Sequence, residues 1–181
     1  MKQIIIKTIL FLFVATILTS CMTLQPIPLK GNYLDAPYEL ETDKSFDEVW
    51  SNIIDLFATK GLSIKLIDKS SGLIVSEKTS FLNNYTFEDK SGNLENEEAY
   101  IVIEKVTYQG YNQSVQPDDL TGEWNVRIKK TENDKTLINV NLTNITGSKF
   151  IAGSDYSPAQ NVNFKGKSTG KFEELITELV K

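Results

Sequence analysis

Apolar residues recur at helical spacing in two stretches of the chain. At the start of the first, Ser45 and Glu48 have the spacing of a capping box, in which both side chains bind free backbone N–H groups. Its apolar face consists of Phe46, Val49, Trp50, Ile53, Ile54 and Phe57. Lys60-Gly61 predicts the end of this helix, because glycine suits a left-handed cap. A closing helix is predicted to begin near residues 168–170. Its apolar stripe is Phe172, Leu175, Ile176 and Leu179.

Alternation of apolar and polar residues predicts strands elsewhere in the chain. The predicted strands cover residues 38–42, 62–66, 73–75, 99–107, 124–130 and 137–145. The order of strand, helix, several antiparallel strands and helix predicts an α+β fold, an antiparallel β-sheet with two helices packed on one face. Residues 38–181 are therefore predicted to form a single α+β domain.

The N-terminal residues have the order of a secretory signal. Lys2 and Lys7 are followed by an apolar run that covers residues 8–18. This run is too short to cross a membrane as a helix, which needs about 20 apolar residues. We therefore predict that residues 1–20 are a cleaved signal peptide. An uncleaved membrane anchor is the alternative.

The segment Leu18-Thr19-Ser20-Cys21 resembles the lipobox of bacterial lipoproteins. The resemblance implies that Cys21 receives a diacylglyceryl group, that signal peptidase II cleaves after Ser20, and that the new amine is acylated. Each buried methylene contributes about 0.8 kcal/mol, so two or three chains would hold the protein on a membrane. Met22 follows the cysteine instead of an aspartate, which by analogy with proteobacteria favours the outer over the inner membrane of the cell envelope.

Residues 22–37 contain three of the five prolines and show neither a helical nor a strand period. We predict that residues 21–37 form a lipidated tether between the membrane and the domain. Sixteen residues would reach at most about 55 Å if fully extended.

Composition excludes several function classes. Cys21 is the only cysteine and histidine is absent, which excludes Ser-His-Asp catalysis, Cys-His catalysis and histidine-ligated zinc. Loss of the two leader lysines leaves 17 of the 19 basic residues against 24 acidic ones, a net charge of −7. This balance argues against nucleic-acid binding. We predict no enzymatic activity, no cofactor and no metal site.

Two acidic segments give only weak patterns. Residues 89–95 place oxygen ligands at alternate positions, but an EF-hand loop needs glycine and glutamate where Leu94 and Tyr100 stand. Residues 118–119 and 95–98 could supply two carboxylates for glycoside hydrolysis, but the pattern does not fix their separation. Both segments are interpreted as solvated acidic loops.

Four further segments carry a second resemblance. Residues 45–50 (SFDEVW), 60–62 (KGL) and 68–74 (DKSSGLI) are similar to helix-grip domains, which occur in the lipoprotein C subunit of the outer-membrane barrel-assembly machine. Residues 168–173 (STGKFE) are similar to the start of the last helix in such domains. The resemblance implies a helix-grip fold and a role in outer-membrane assembly. Those subunits carry two grip domains, and this chain has room for one.

Two long polar connections, residues 108–122 and 153–163, hold the candidate partner-binding residues Tyr108, Tyr111 and Tyr156. Long loops in compact domains are often functional, and tyrosine suits adaptable recognition; loop variation without function is the alternative. The leading hypothesis is a non-enzymatic envelope lipoprotein that binds another protein as an assembly accessory. The alternatives are an immunity or inhibitor lipoprotein against a toxin or muralytic enzyme, and a carrier of a small apolar ligand between helix and sheet.

Overall fold

A computed structural model of the chain describes residues 24–33, 37–108, 113–153 and 158–181. Within these residues the chain forms two helices, α1 (Phe46–Thr59) and α2 (Lys171–Val180). The strands are β1 (Leu24–Ile27), β2 (Tyr38–Thr42), β3 (Ile64–Asp68), β4 (Leu73–Ser76), β5 (Thr79–Ser80), β6 (Tyr85–Thr86), β7 (Ile101–Ile103), β8 (Lys105–Tyr108), β9 (Asp119–Lys130), β10 (Thr136–Ile151), β11 (Gln160–Phe164) and β12 (Gly166–Ser168). The predicted α+β class, with mostly antiparallel sheets and two helices, is confirmed.

Seven strands form the main sheet. Its path runs β11-β10-β9-β4-β3, with β2 also beside β10 and β5 also beside β9. Strand β10 pairs with β9 along most of its length, with β2 near its start and with β11 near its end. The β9–β10 register shifts between Thr143 and Thr146, where Asn144 has a φ of 54°. Such a bulge bends the strand, so the end of β10 leaves the line of β2 and meets β11.

Two smaller sheets cover the rest of the core. One has the order β12-β7-β6, and the other joins β1 to β8. The chain runs from β7 into β8 through Glu104, whose N–H donates to the carbonyl of Lys165 at 2.9 Å. Strand β8 also contacts β11, so the β1–β8 pair lies beside the end of the main sheet.

Aromatic rings fill the space between the helices and the main sheet. Trp124 of β9 and Phe172 of α2 are both fully buried and stack with ring centroids 4.1 Å apart. Phe57 of α1 meets Phe172 edge-on at 6.2 Å, and Phe81 meets Trp124 in the same way at 6.3 Å. This packing leaves little room for the small apolar ligand that the carrier hypothesis puts between helix and sheet.

Helix α1 agrees closely with its prediction. Ser45 accepts the N–H of Glu48 at 3.3 Å, and Gly61 follows the helix with a φ of 67°. The reciprocal half of the predicted capping box differs, because the Glu48 carboxylate lies 3.2 Å from the ammonium of Lys44. The buried residues of α1 are Val49, Trp50, Ile53 and Phe57. The closing helix begins at Lys171, directly after Gly170, at the predicted place.

The largest departure from the sequence prediction lies at the N-terminus. Residues 22–37 were predicted to lack helix and strand, but Leu24–Ile27 form β1, which runs antiparallel to β8. Leu24 packs against the hydrophobic core, and the burial of this side chain stabilises β1 in its place beside β8. Its partner lies about eighty residues away along the chain, and no local period reveals a pairing of that range.

Candidate functional site

Beyond the β1–β8 pairing, one carboxylate fastens the N-terminal segment to the domain. Glu88 Oε2 accepts the backbone N–H of Lys30 at 2.7 Å. Its Oε1 accepts the N–H of Gly31 at 2.8 Å and the hydroxyl of Tyr33 at 2.7 Å. The Glu88 side chain is 7% exposed, so water competes little for these bonds. We call Glu88 with residues 30–33 the N-terminal clamp.

Opposing effects set the ionisation of this carboxylate. Burial is the largest and would raise the pKa of Glu88, because it disfavours the charged form. The hydrogen bonds from Tyr33, Lys30 and Gly31 favour the charge, and together they hold the pKa of Glu88 below its usual 4.5. Burial raises the pKa of Tyr33, and its hydrogen bond to the negatively charged Glu88 raises it further. Glu88 is therefore an ionised structural acceptor rather than a free acid or base.

An apolar groove of about 360 Å³ opens beside the clamp. Its lining residues are Ile27, Pro28, Leu29, Lys30, Glu88, Asp89, Lys90, Ile103 and Lys105. Ile103 is fully buried at the base, whereas Ile27 at the wall is 43% exposed. The N-terminal segment thus supplies one wall, and the β7–β8 segment with the 88–90 loop supplies the other.

Charged groups at the groove rim are held by other residues. The Lys105 ammonium lies 2.6 Å from Glu95 Oε1 and 5.8 Å from the centre of the Phe87 ring. The Lys30 ammonium donates to the carbonyl of Lys90 at 2.7 Å. The groove thus has an apolar floor, and these two lysines on its rim are held in place.

Of the predicted site residues, only Tyr108 lies among those described. It ends β8, opposite Leu24, and packs half-buried against the core. A bridge between Thr107 and Ser114 closes the connection that follows it. Cys21, Tyr111 and Tyr156 lie outside the described residues. Tyr108 is therefore part of the framework that holds β1 rather than an exposed loop side chain.

Strand β1 also fixes how far the domain can lie from residue 21. Leu24 is the third residue after Cys21, so the two lie at most about 11 Å apart. Ile27, at the groove, lies three residues farther along the same extended strand, roughly 10 Å on. The long tether predicted from the sequence is thus mostly bound to the domain.

A second apolar surface lies at the edge of the main sheet. Strand β3 pairs with β4 and ends the path of the sheet. Leu66 and Ile67 are 47% and 51% exposed there. Lys65 lies in the same strand and reaches Glu123 at 3.6 Å. A charged residue on an edge strand discourages further pairing, so we rank this surface below the groove.

The acidic loops are held by bonds within the domain. Asp89 accepts the N–H groups of Ser91 at 2.7 Å and Asn93 at 2.9 Å, which closes the 89–93 turn. Asp118 lies 2.6 Å from the ammonium of Lys149. Within the described ranges no three acidic, cysteine or histidine side chains lie close enough to hold a metal ion.

No protein-family model matches the chain, and no curated protein matches its sequence. In the part of the chain that the structure describes, neither helix is both long and apolar enough to cross a membrane.

Proposed function

We propose that the protein is a non-enzymatic lipoprotein of the bacterial envelope, held by lipid on Cys21, whose domain binds another protein through the apolar groove. The groove carries the proposal, because its wall belongs to the strand that starts three residues after Cys21. A partner bound there would be kept close to the membrane. The absence of histidine and the structural use of Glu88 support a binding role over a catalytic one.

The fold we propose is a helix grip with both helices on one face of the main sheet. Support comes from Phe172 of α2, which contacts Phe57 of α1 and Trp124 of the sheet at once. With the resemblance of residues 45–50, 60–62, 68–74 and 168–173 to helix-grip domains of barrel-assembly lipoproteins, this fold favours an accessory of outer-membrane assembly or maintenance.

The anchor is tested by Cys21→Ser in the full precursor. Without the thiol no diacylglyceryl group can be attached, so labelling with radioactive palmitate should be lost and the precursor should remain unprocessed. Thr19→Ser is a matched control, because it keeps a small residue near the cut and should be labelled and processed. Mature Cys21→Ser protein at the membrane would contradict the proposed anchor.

The groove is tested by Ile27→Asp in the mature lipidated protein. A carboxylate in the apolar wall should remove the partner, because an unpaired charge is costly to bury. Ile67→Asp at the β3 edge is the matched control, since Ile67 is similarly exposed and lies outside the groove. Proteins that co-purify from solubilised membranes are quantified for each variant.

The groove is supported if proteins that co-purify with the wild type are lost from Ile27→Asp and retained by Ile67→Asp. Equal recovery from all three proteins would contradict it. Recovery of a toxin or a muralytic enzyme as the groove-dependent partner would favour the inhibitor alternative over the assembly accessory.

A further inference from the structure

Four chain segments meet at one end of the domain. Strand β1 starts there at Leu24, opposite Tyr108 at the end of β8. Strands β7 and β12 pair antiparallel, with Ile103 opposite Gly166, and β8, which continues β7, contacts β11, which precedes β12. The end of β8 and the start of β11 therefore lie toward the same end of the domain. Asn161 in β11 opposes Phe150 in β10. Leu24 and Phe150 therefore both lie toward this end of the domain.

Phe150 is the most exposed large apolar side chain among the described residues, at 61%. Its partner Asn161 is also exposed, whereas the next residue, Val162, is buried. Because side chains alternate between the faces of a strand, Phe150 points away from the core. Nothing in the core requires a phenylalanine at this position, so its exposure calls for another explanation.

The chain outside the described residues indicates what covers this end. We infer that the end of the domain with Phe150 docks on the lipid surface, with the ring at the level of the headgroups. The inference depends on the proposed lipid anchor at Cys21. With acyl chains in the bilayer, Leu24 must lie within about 11 Å of the anchored residue. Phe150, at the same end, is then within reach of the interface.

Charge at this end selects the kind of lipid contact. Asp118 is paired with Lys149 at 2.6 Å and Asp119 is a second acid, so the described residues beside Phe150 do not form the cluster of lysines that an anionic surface would need. The contact is therefore apolar rather than electrostatic. It should form on zwitterionic phosphatidylcholine and should change little with salt, because screening acts on exposed charges.

The test places a fluorescent reporter beside Phe150 without removing it. In the mature lipidated protein the Cys21 thiol is consumed, so a cysteine from Asn161→Cys is the only free thiol for labelling. The protein is reconstituted in phosphatidylcholine vesicles that carry bromine on the upper acyl chain, which quenches nearby fluorophores. Ser71→Cys is the control reporter. Its neighbour Gly72 accepts the N–H of Ile128, which lies near the end of β9 that is remote from Asp119 and Ser148. Position 71 therefore lies toward the opposite end of the main sheet from Phe150.

Quenching at position 161 should exceed quenching at position 71 severalfold. Phe150→Ser in the Asn161→Cys protein should lower the docked-to-undocked ratio by about tenfold, since a large apolar side chain is lost from the interface. Ile67→Ser, a similar loss of exposed apolar surface elsewhere, should leave that ratio unchanged. Thermal unfolding of each variant checks that the domain still folds.

Equal quenching at positions 161 and 71, or no effect of Phe150→Ser, would overturn the docking. Cross-linking of position 161 between two copies of the chain, with no quenching there, would show that a second copy covers Phe150 and would also overturn it. Failure of the anchor is separate, because the protein would then not float with the vesicles and its N-terminal peptide would lack the lipid mass.

Discussion

Glu88→Gln is the sharpest test of the N-terminal clamp, because it changes hydrogen bonding with almost no change in shape. Glutamine has one oxygen acceptor where glutamate has two. If its oxygen faces Gly31 and Tyr33, the amide group faces the Lys30 N–H, which needs an acceptor. The opposite orientation leaves the Gly31 N–H without one. Either way, at least one bond to a charged acceptor is replaced by two donors that face each other.

The substitution removes one hydrogen bond and leaves a neutral amide oxygen, a weaker acceptor, for the remaining ones. In a site with little access to water, this should reduce the free energy that keeps the clamp closed by about 3 kcal/mol. Opening of the clamp should then become roughly 100-fold more frequent. The effect should be local, because the core around Trp124 and Phe172 does not include the clamp. The melting temperature of the domain should therefore change little, whereas hydrogen exchange in residues 24–33 should increase strongly.

Hydrogen exchange with mass spectrometry on the mature lipidated protein measures this opening in peptides that cover residues 24–33. Glu98→Gln is the matched control, since Glu98 forms an ion pair with Lys171 on the surface with 78% of its side chain exposed. That pair should contribute little. Unchanged exchange of residues 24–33 in Glu88→Gln, or the same change in Glu98→Gln, would refute the clamp.

The pH dependence of the clamp has a defined sign. Because the folded-state pKa of Glu88 lies below its usual 4.5, the clamp contributes its full stability above that pH. The contribution is lost as pH falls through the folded-state value. Protection of residues 24–33, corrected for intrinsic exchange rates, should thus fall in wild type below about pH 4.5 and should vary much less in Glu88→Gln.

Two further changes test the rest of the domain. Burial raises the pKa of Glu173, which is 3% exposed, so the charged form should cost stability as pH rises through that pKa. Glu173→Gln should therefore melt higher than wild type at pH 8 and close to it at pH 4, and an equal gain at both would contradict this reasoning. Gly72→Ala should destabilise by more than about 3 kcal/mol in urea unfolding, because its new methyl group would lie 1.9 Å from the Ile128 carbonyl oxygen. Gly61→Ala has a similar φ with open space around it and should cost only about 1 kcal/mol; equal losses would show that the contact with Ile128 is unimportant.

The sequence predicted the parts of the fold that have a local signal. Helix α1 has a cap, a helical stripe and a terminating glycine, and the structure shows all three. The two long central strands were found but predicted too short. Residues 119–123 include threonine, glycine and glutamate, and residues 146–151 follow a bulge, so neither segment keeps a regular alternation.

The groove was not predictable in the same way. Its two walls come from residues 27–30 and from residues 88–105, and their pairing depends on tertiary contacts. Glu88 looked like any acidic residue of a polar loop. Its position after the buried Phe87 gives no signal that it turns inward, because successive side chains of an extended chain point to opposite faces. Tyr108 was predicted as a candidate from a rule about long loops, and that rule does not reveal that this residue ends a strand.

The N-terminal segment connects the proposed anchor, the groove and the height of the domain above the membrane. With the clamp closed, about 11 Å of chain separates Cys21 from the folded domain, whereas release of residues 22–37 would allow about 55 Å. Release would also remove the groove wall at Ile27. If a partner binds the groove as proposed, it must favour the closed clamp, by about 2.7 kcal/mol when its concentration is 100 times its dissociation constant. Binding of that partner and close approach to the membrane are then linked, and the partner should protect residues 24–33 from exchange even in Glu88→Gln.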